Sequence, residues 1–522
     1  MKTILFLFLL ICQLPIIAQD SIPWHHNNSS SGVEGISLDD AYTFLKAKNK
    51  IPSNVIVAII DSGIDTTHED LIDRIWNNPN DIPNGIDDDG NGYVDDIHGW
   101  NFIGGADGRN VDGETVESVR FYRENIEAFE GKSISKISGE DKKKYKLWTK
   151  AKKDVLGKIK DYNYRMNTFS EWIDLIDEAE KYIKDKEELD TLTISDIKSF
   201  TPKNDDEYRM RKMLLYADTN GVNKKGLKEM VDYYSKQLEK SYNLKYNPRP
   251  DIVGDNTDDI NDTIYGNNDI MAVGYSHGTG VSGVVGAIRN NGIGIQGIVD
   301  SVQLMILRVV PGGDERDKDV ALAIKYAVKN GAKVINCSFG KYYSKHPEFV
   351  SEAIDYAVVN DVLIIHAAGN NAENNDRIAH FPTHNEVQKD NWIDVGASGK
   401  YNNLDLAASF SNYGHKSVDL FAPGVNIYTT AKNNNYRAVS GTSESSPVVA
   451  GIAALLRSYY PELSAKQVRD IIIESAVSYK NSKVNYTNYK GINKKIKFKK
   501  LSVTGAIVNA LEAVKLAESK VL

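Results

Sequence analysis

Val55-Ile56-Val57-Ala58-Ile59-Ile60 is an unbroken apolar run that ends on the carboxylate of Asp61. A strand whose two faces are both apolar has to be covered on both sides, as in the interior of a parallel sheet. The chain downstream agrees. Strand patterns at residues 302–309, 332–337 and 362–367 are separated by helical patterns at 319–329 and 349–359. Single strands alternating with helices predict an α/β fold with a mostly parallel sheet between helical layers.

The 522 residues can bury a large core and have room for two domains. Apolar content of 41% and charged content of 26% are those of an ordinary globular protein. A net charge of −8 leaves no basic footprint for nucleic acid, so that partner class is disfavoured. Residues 1–18 hold one lysine, an apolar run at 4–11 and Ile16-Ile17-Ala18 before Gln19-Asp20. This pattern predicts a signal peptide cut after Ala18, too short for a membrane span, and a secreted or periplasmic protein. Once it is removed, Cys337 is the one remaining cysteine, so no internal disulfide is expected. Residues 19–34 read as a polar arm, in which His25 and His26 lack a third metal ligand and are expected to be mobile. Helices are expected at residues 36–48 and, as the last amphipathic element, at 503–518.

Three segments carry chemistry. Asp61 ends the first strand. His277 stands in Ser276-His277-Gly278-Thr279-Gly280, at the head of a small-residue helix. Ser443 stands in Ser440-Gly441-Thr442-Ser443-Glu444-Ser445-Ser446-Pro447, where a turn of small residues runs into the apolar stretch 448–456. Pro447 suits the first turn of the helix that follows. A serine there has free backbone amides and the positive end of a helix dipole beside it. Alone, Ser443 reads as a helix cap. With an acid and a histidine elsewhere in the chain, it completes a set of nucleophile, base and base-orienting group.

The order Asp61, His277, Ser443, each in its glycine-bearing context, resembles the subtilisin-like serine peptidases. The resemblance runs over residues 35–517, with one long interruption. It implies a three-layer sandwich formed by residues 35–110 and 248–522, with a helical insertion at 111–247. It also implies a role for Asn370, in Ala367-Ala368-Gly369-Asn370, as side-chain donor to an oxyanion. Ser338, Phe339 and Gly340 match one wall of the primary specificity pocket, and Ala367, Ala368 and Gly369 the facing wall. Small residues there leave room for a large apolar side chain before the scissile bond. The expected activity is that of a secreted serine endopeptidase acting on proteins or peptides through an acyl-enzyme. The short stretch before residue 35 leaves no room for the folded pro-domain such enzymes usually carry. Two positions depart from the family pattern: Gly280 replaces a second histidine, and Glu444 replaces an apolar residue directly after the nucleophile. The competing reading is a catalytically impaired scaffold or binding protein with this fold.

Asn84-Gly85-Ile86-Asp87-Asp88-Asp89-Gly90-Asn91-Gly92-Tyr93-Val94-Asp95-Asp96 alternates hard oxygens around glycines. Asp87, Asp89 and Asn91, a Tyr93 carbonyl, and Asp95 or Asp96 closing the shell predict a structural Ca²⁺ site. The acidic loop 255–269 offers a second cation site. Within 111–247, apolar residues recur at helical spacing around Tyr122, Trp148, Trp172 and Tyr234, predicting four or more helices that are either a surface decoration or a lid or substrate- and partner-selecting module.

Overall fold

The structure is a computed structural model that describes residues 23–139, 141–487 and 493–521; the expected signal peptide lies outside the described residues. The chain divides into two compact units. Residues 118–246 form one, and residues 21–117 with 247–522 form the other.

The larger unit is built on a nine-stranded sheet. In chain order its strands are β1 (Val55–Asp61), β2 (Gly99–Asn101), β3 (Val302–Arg308), β4 (Val334–Cys337), β5 (Leu363–Ala367), β6 (Trp392–Ser398) and β7 (Leu420–Pro423). A hairpin of β8 (Ile427–Ala431) and β9 (Asn435–Val439) stands apart. Then come β10 (Val477–Ser478), the hairpin strands β11 (Lys483–Thr487) and β12 (Asn493–Lys497), and β13 (Ala506–Ile507). The sheet order is β10-β13-β7-β6-β5-β4-β1-β3-β2, and every neighbouring pair is parallel except β10 with β13.

Successive residues of β1 serve different cores, because side chains alternate across a strand. Val55, Val57 and Ile59 join the cluster under helices Leu38–Ala47, Ser276–Gly286, Thr442–Tyr459, Ala465–Ser475 and Ala510–Val521. Ala58 and Ile60 join the opposite cluster, under helices Asp317–Lys329 and Pro347–Val359. This is the three-layer arrangement the apolar run required. Its parallel register aligns the carboxyl ends of β1, β4 and β5, with Ile60 beside Cys337 and Cys337 beside His366.

Four local expectations are corrected. The helix carrying Ser443 begins at Thr442, so Pro447 lies beyond its first turn. Residues 23–34 are not a free arm. Trp24 Nε1 donates to the Val425 carbonyl at 3.1 Å, and both His25 and His26 are 2% exposed. The apolar body of Trp24 anchors the segment, and burial pushes His25 down to about 3. The last helix starts at Ala510, because residues 506–507 are drawn into the sheet as β13. The loop 255–269 receives side-chain cations instead of a metal. Asp255 binds both Arg249, at 2.7 Å, and Lys318, at 3.0 Å, while Asp262 binds Lys318 at 3.2 Å.

The smaller unit is helical. Its main element is one helix, Asp141–Lys186, of 46 residues, spanning what the spacing of apolar residues had divided in two. Near its start Trp148 packs against Tyr122, Phe129 and Tyr145. Near its end Ile176, Ala179 and Ile183 share a core with Ile197, Phe200, Leu214 and Leu227, from helices Ile194–Ser199, Asp205–Thr219 and Lys224–Lys236 and their flanks. Phe169 stacks on Tyr234 between the two clusters. Residues 111–117 belong to the sheet unit, where the Val111 carbonyl accepts from Arg308 at 3.1 Å.

Candidate active site

Asp61 sits at the carboxyl end of β1 and is 1% exposed. Its Oδ1 accepts the Ser62 amide at 2.6 Å and faces His277 Nδ1 at 2.8 Å, with Oδ2 at 3.0 Å. His277 is the second residue of the helix Ser276–Gly286. A side chain on the next residue would crowd this contact, since a Cβ at Gly278 would lie 3.2 Å from the Asp61 Cβ. The imidazole keeps 41% of its surface exposed, so its far nitrogen, Nε2, is left to face a reactant.

The electrostatics follow from these neighbours. Burial opposes a charge on His277, yet the charge of Asp61 and its hydrogen bond lift the imidazole to about 9, with Glu444 adding in the same sense and Arg437 opposing. Burial also lifts Glu444 to about 7, against the pull of His277 and Arg437. Glu444 is 5% exposed, and its Oε2 is sealed in without a hydrogen-bond partner.

Ser443 is the second residue of the helix Thr442–Tyr459. Pro447 has no N–H to return to the Ser443 carbonyl four residues back. Ser338 Oγ donates there instead, at 2.9 Å. That hydroxyl in turn accepts Asn336 Nδ2 at 2.9 Å and lies 2.8 Å from Ser446 Oγ, which must then be the donor of that bond. Ser443 Oγ donates to the Ser338 carbonyl at 3.1 Å and, among the described residues, makes no hydrogen bond to His277.

Asn370 follows β5. Its Oδ1 accepts both the Thr442 amide, at 2.8 Å, and the Thr442 hydroxyl, at 3.0 Å. A backbone N–H can only donate, so this bond fixes which end of the amide is oxygen, and Nδ2 is turned away from Thr442. Thr442 Oγ1 also accepts the Gly369 amide at 3.1 Å, tying the β5 end to the serine's helix. Thr442 is a positioning residue that the motif alone did not single out.

Of the pocket-wall residues, Ser338 is 3% exposed, Phe339 8%, Ala367 2% and Ala368 0%. Phe339 belongs to the core beneath the sheet, so its side chain is not available to line a pocket. Gly340 and Gly369 both abut one imidazole, that of His380, which no local pattern singles out.

The acidic loop is partly assembled. Asp87 Oδ1 and Asp89 Oδ1 both accept the Asn91 amide, at 3.1 and 3.0 Å, and neither carboxylate has an ion-pair partner among the described residues. Asp96 is buried and accepts from Asn78 Nδ2 at 2.6 Å, Asn91 Nδ2 at 2.9 Å and the Tyr326 hydroxyl at 2.5 Å. Asp95 turns away onto the amides of Asn84 and Gly85, and the Tyr93 ring packs on Trp100 and Phe102. Among the described residues no three acidic, histidine or cysteine side chains converge on one point. Asp87 Oδ2 also accepts the Gly92 amide at 2.8 Å, and Asp89 Oδ2 accepts Asn78 Nδ2 at 3.2 Å.

The subtilase family profile matches residues 52–496 of this chain. The chain belongs to the subtilase family. Among curated relatives, the thermophilic serine proteinase of Bacillus sp. strain AK1 is 40% identical over 184 residues, 35% of this chain and 43% of the relative. Subtilisin DY of Bacillus licheniformis is 35% identical over 211 residues, covering 40% of this chain and 73% of that protein. Alkaline elastase YaB of Bacillus sp. strain YaB is 33% identical over 210 residues, 40% of this subtilase and 52% of the relative. In this subtilase Asp61 ends β1, Asn370 follows β5, and His277 and Ser443 are each the second residue of a helix. No helix among the described residues is long and apolar enough to cross a membrane.

Proposed function

We propose that this subtilase is an exported serine endopeptidase that hydrolyses peptide bonds through Asp61, His277 and Ser443. The observation that carries the reading is the buried Asp61 carboxylate holding Nδ1 of a half-exposed His277 at 2.8 Å. In this reaction Ser443 Oγ exchanges the Ser338 carbonyl for His277 Nε2 as its hydrogen-bond acceptor. Oγ then attacks the scissile carbonyl carbon while His277 accepts its proton. The imidazolium returns that proton to the leaving amine as the C–N bond breaks, leaving an acyl-enzyme on Ser443. Water repeats the sequence and frees the acid product. Asp61 holds the tautomer and stabilises the imidazolium. Asn370 Nδ2 and the Ser443 amide hold the oxyanion, and loss of one such donor typically lowers kcat ~10²–10³-fold.

Residues 1–18 act as the export signal, and the helical unit 118–246 selects protein substrates or partners. Asp87 and Asp89, with Asn91, Asp96 and the Tyr93 carbonyl, hold a Ca²⁺ ion that neutralises the loop. A second reading, an impaired scaffold, draws on the Ser443 hydroxyl bonded to Ser338 and on the carboxylate of Glu444 beside the nucleophile. Peptide hydrolysis decides between them. Cleavage by the wild type that is lost in Ser443→Ala supports the peptidase; equal cleavage by both overturns it.

A further inference from the structure

One stretch, residues 422–426, where β7 gives way to a turn, holds Ser443 from both flanks. The Gly441 amide donates to the Gly424 carbonyl at 2.9 Å, and the Asn426 amide to Ser440 Oγ at 2.8 Å. Beyond the nucleophile, Ser445 Oγ donates to the Ala422 carbonyl at 3.0 Å. A displacement of this stretch therefore reaches the backbone of Ser443 from two sides. Asn426, at a φ of 51°, lies in the left-handed region that few side chains other than Asn and Asp adopt. The turn is fixed from outside by Trp24, whose Nε1 donates to the carbonyls of Val425, at 3.1 Å, and Asn426, at 3.3 Å.

Trp24 is brought to the turn by a segment that closes on two imidazoles. The amides of Ile36 and Ser37 donate back to the carbonyls of His25 and Asn27, at 2.8 and 3.0 Å. Gly35 permits that return, because a Cβ there would collide with the Asn27 carbonyl and stand 2.7 Å from that of Trp24. The rings of His25 and His26 meet edge-on at 4.3 Å, and His25 Nδ1 and His26 Nε2 are sealed without a partner. No carboxylate pairs with either ring among the described residues. Arg289 opposes a positive charge on His26; it lies over the Tyr42 ring, donates to the Gly297 carbonyl at 2.7 Å and reaches Asp39 at 3.4 Å. Asp40 takes Asn28 Nδ2 at 2.6 Å, and Glu34 takes the Tyr479 hydroxyl. The docked segment accommodates two neutral imidazoles and offers nothing to an imidazolium.

We propose that residues 24–26 are an acid-released strap on the nucleophile turn: docked, Trp24 positions Ser443 through residues 422–426, and in acid the strap detaches and the turn loosens. The consequence for catalysis rests on the peptidase reading above; the release does not. Trp24 is a positioning residue, since it touches two carbonyls and none of the reacting groups. A solvated histidine titrates near 6.5. Burial holds His25 down to about 3, and burial, His25 and Arg289 hold His26 well below its ordinary value. Docking is therefore at full strength above about pH 6.5 and weakens as pH falls below it, by up to about tenfold per pH unit for each histidine. His277, lifted to about 9, acts in a higher range and on the rate alone.

Hydrogen exchange of the full chain, read by mass spectrometry and corrected for the intrinsic pH dependence of amide exchange, tests the release. Protection of residues 24–37 is expected to fall at least about tenfold between pH 7 and pH 5, one histidine being enough for that, while strand 55–61 stays protected. His25→Gln with His26→Gln should remove the pH dependence. At pH 9 Trp24→Ala should lower kcat by about ten- to a hundredfold with KM changed less than about twofold, and should slow fluorophosphonate modification of Ser443 to match. Protection of residues 24–37 that is the same at pH 7 and pH 5 in the wild type overturns the release, whether or not the variants fold. A folded Trp24→Ala with unchanged kcat and labelling rate overturns the positioning role. A wild type that the fluorophosphonate never labels overturns the peptidase reading instead, and exchange still decides the strap.

Discussion

Ser338 grips Ser443 from both sides: its hydroxyl donates to the Ser443 carbonyl at 2.9 Å, and its own carbonyl accepts the Ser443 hydroxyl at 3.1 Å. The first bond exists because Pro447 removed the helical donor for that carbonyl. Ser338→Ala should therefore cost about 1–3 kcal/mol, the usual penalty for leaving a buried acceptor unpaired. It should also lower kcat, since the nucleophile's backbone loses its brace. Urea unfolding and initial rates on one peptide check both effects, and an unchanged midpoint would show that the brace is dispensable.

Much of the sheet was legible because its central strands are apolar on both faces, as in 55–60. The edge strand Gly99–Asn101 has only three residues, and its membership depends on pairing with Leu307 and Arg308, which no local pattern announces. Asp61, His277 and Ser443 could be singled out by type and context. The placement of His380 could not: it is one histidine in a loop, held by the backbone bridge that its neighbour Phe381 makes to Lys341, 40 positions earlier in the chain. Nor could the anchoring of residues 24–26 be read, because a carbonyl 401 residues away completes it.

The rate should climb with pH. His277 must be neutral to accept the Ser443 proton, and Asp61 with Glu444 holds its proton up to about 9. Glu444→Gln removes one source of that hold, so the acid limb of kcat/KM should move to lower pH and activity near neutrality should increase. The same ionisation bears on stability. Its folded value lies above the ordinary 6.5, so its stabilising contribution is complete below about pH 6.5 and disappears as pH rises through about 9. A pH–rate profile of the two proteins checks the sign; a limb that stays in place would remove Glu444 from the balance.

Arg249 is buried with Asp319 at 2.7 Å and Asp255 at 2.7 Å, and Tyr265 donates to Asp319 at 2.6 Å. Arg249→Met leaves Asp319 without a cation, whereas Asp255 retains Lys318 at 3.0 Å. Removal of one partner from such a buried pair typically costs about 3–5 kcal/mol. Chemical denaturation should show a loss in that range, and a loss under about 1 kcal/mol would mean that the cluster is solvated.

Chelation should destabilise the sheet unit through the Asp87–Asp89 pair. An ion present at a hundred times its dissociation constant stabilises by about 2.7 kcal/mol. EDTA should accordingly lower the melting temperature, and Asp87→Asn with Asp89→Asn should remove the EDTA effect. Identical melting curves with and without EDTA would retire the calcium assignment.

The proposed hydrolysis requires Ser443 to be an activated nucleophile. Intact-mass analysis after exposure to a fluorophosphonate, followed by peptide mapping, tests that most directly. One adduct on Ser443 is expected, formed faster at pH 9 than at pH 6 as His277 becomes neutral, and absent in both Ser443→Ala and His277→Ala. A protein that stays unmodified, or one labelled at another serine, would contradict the account.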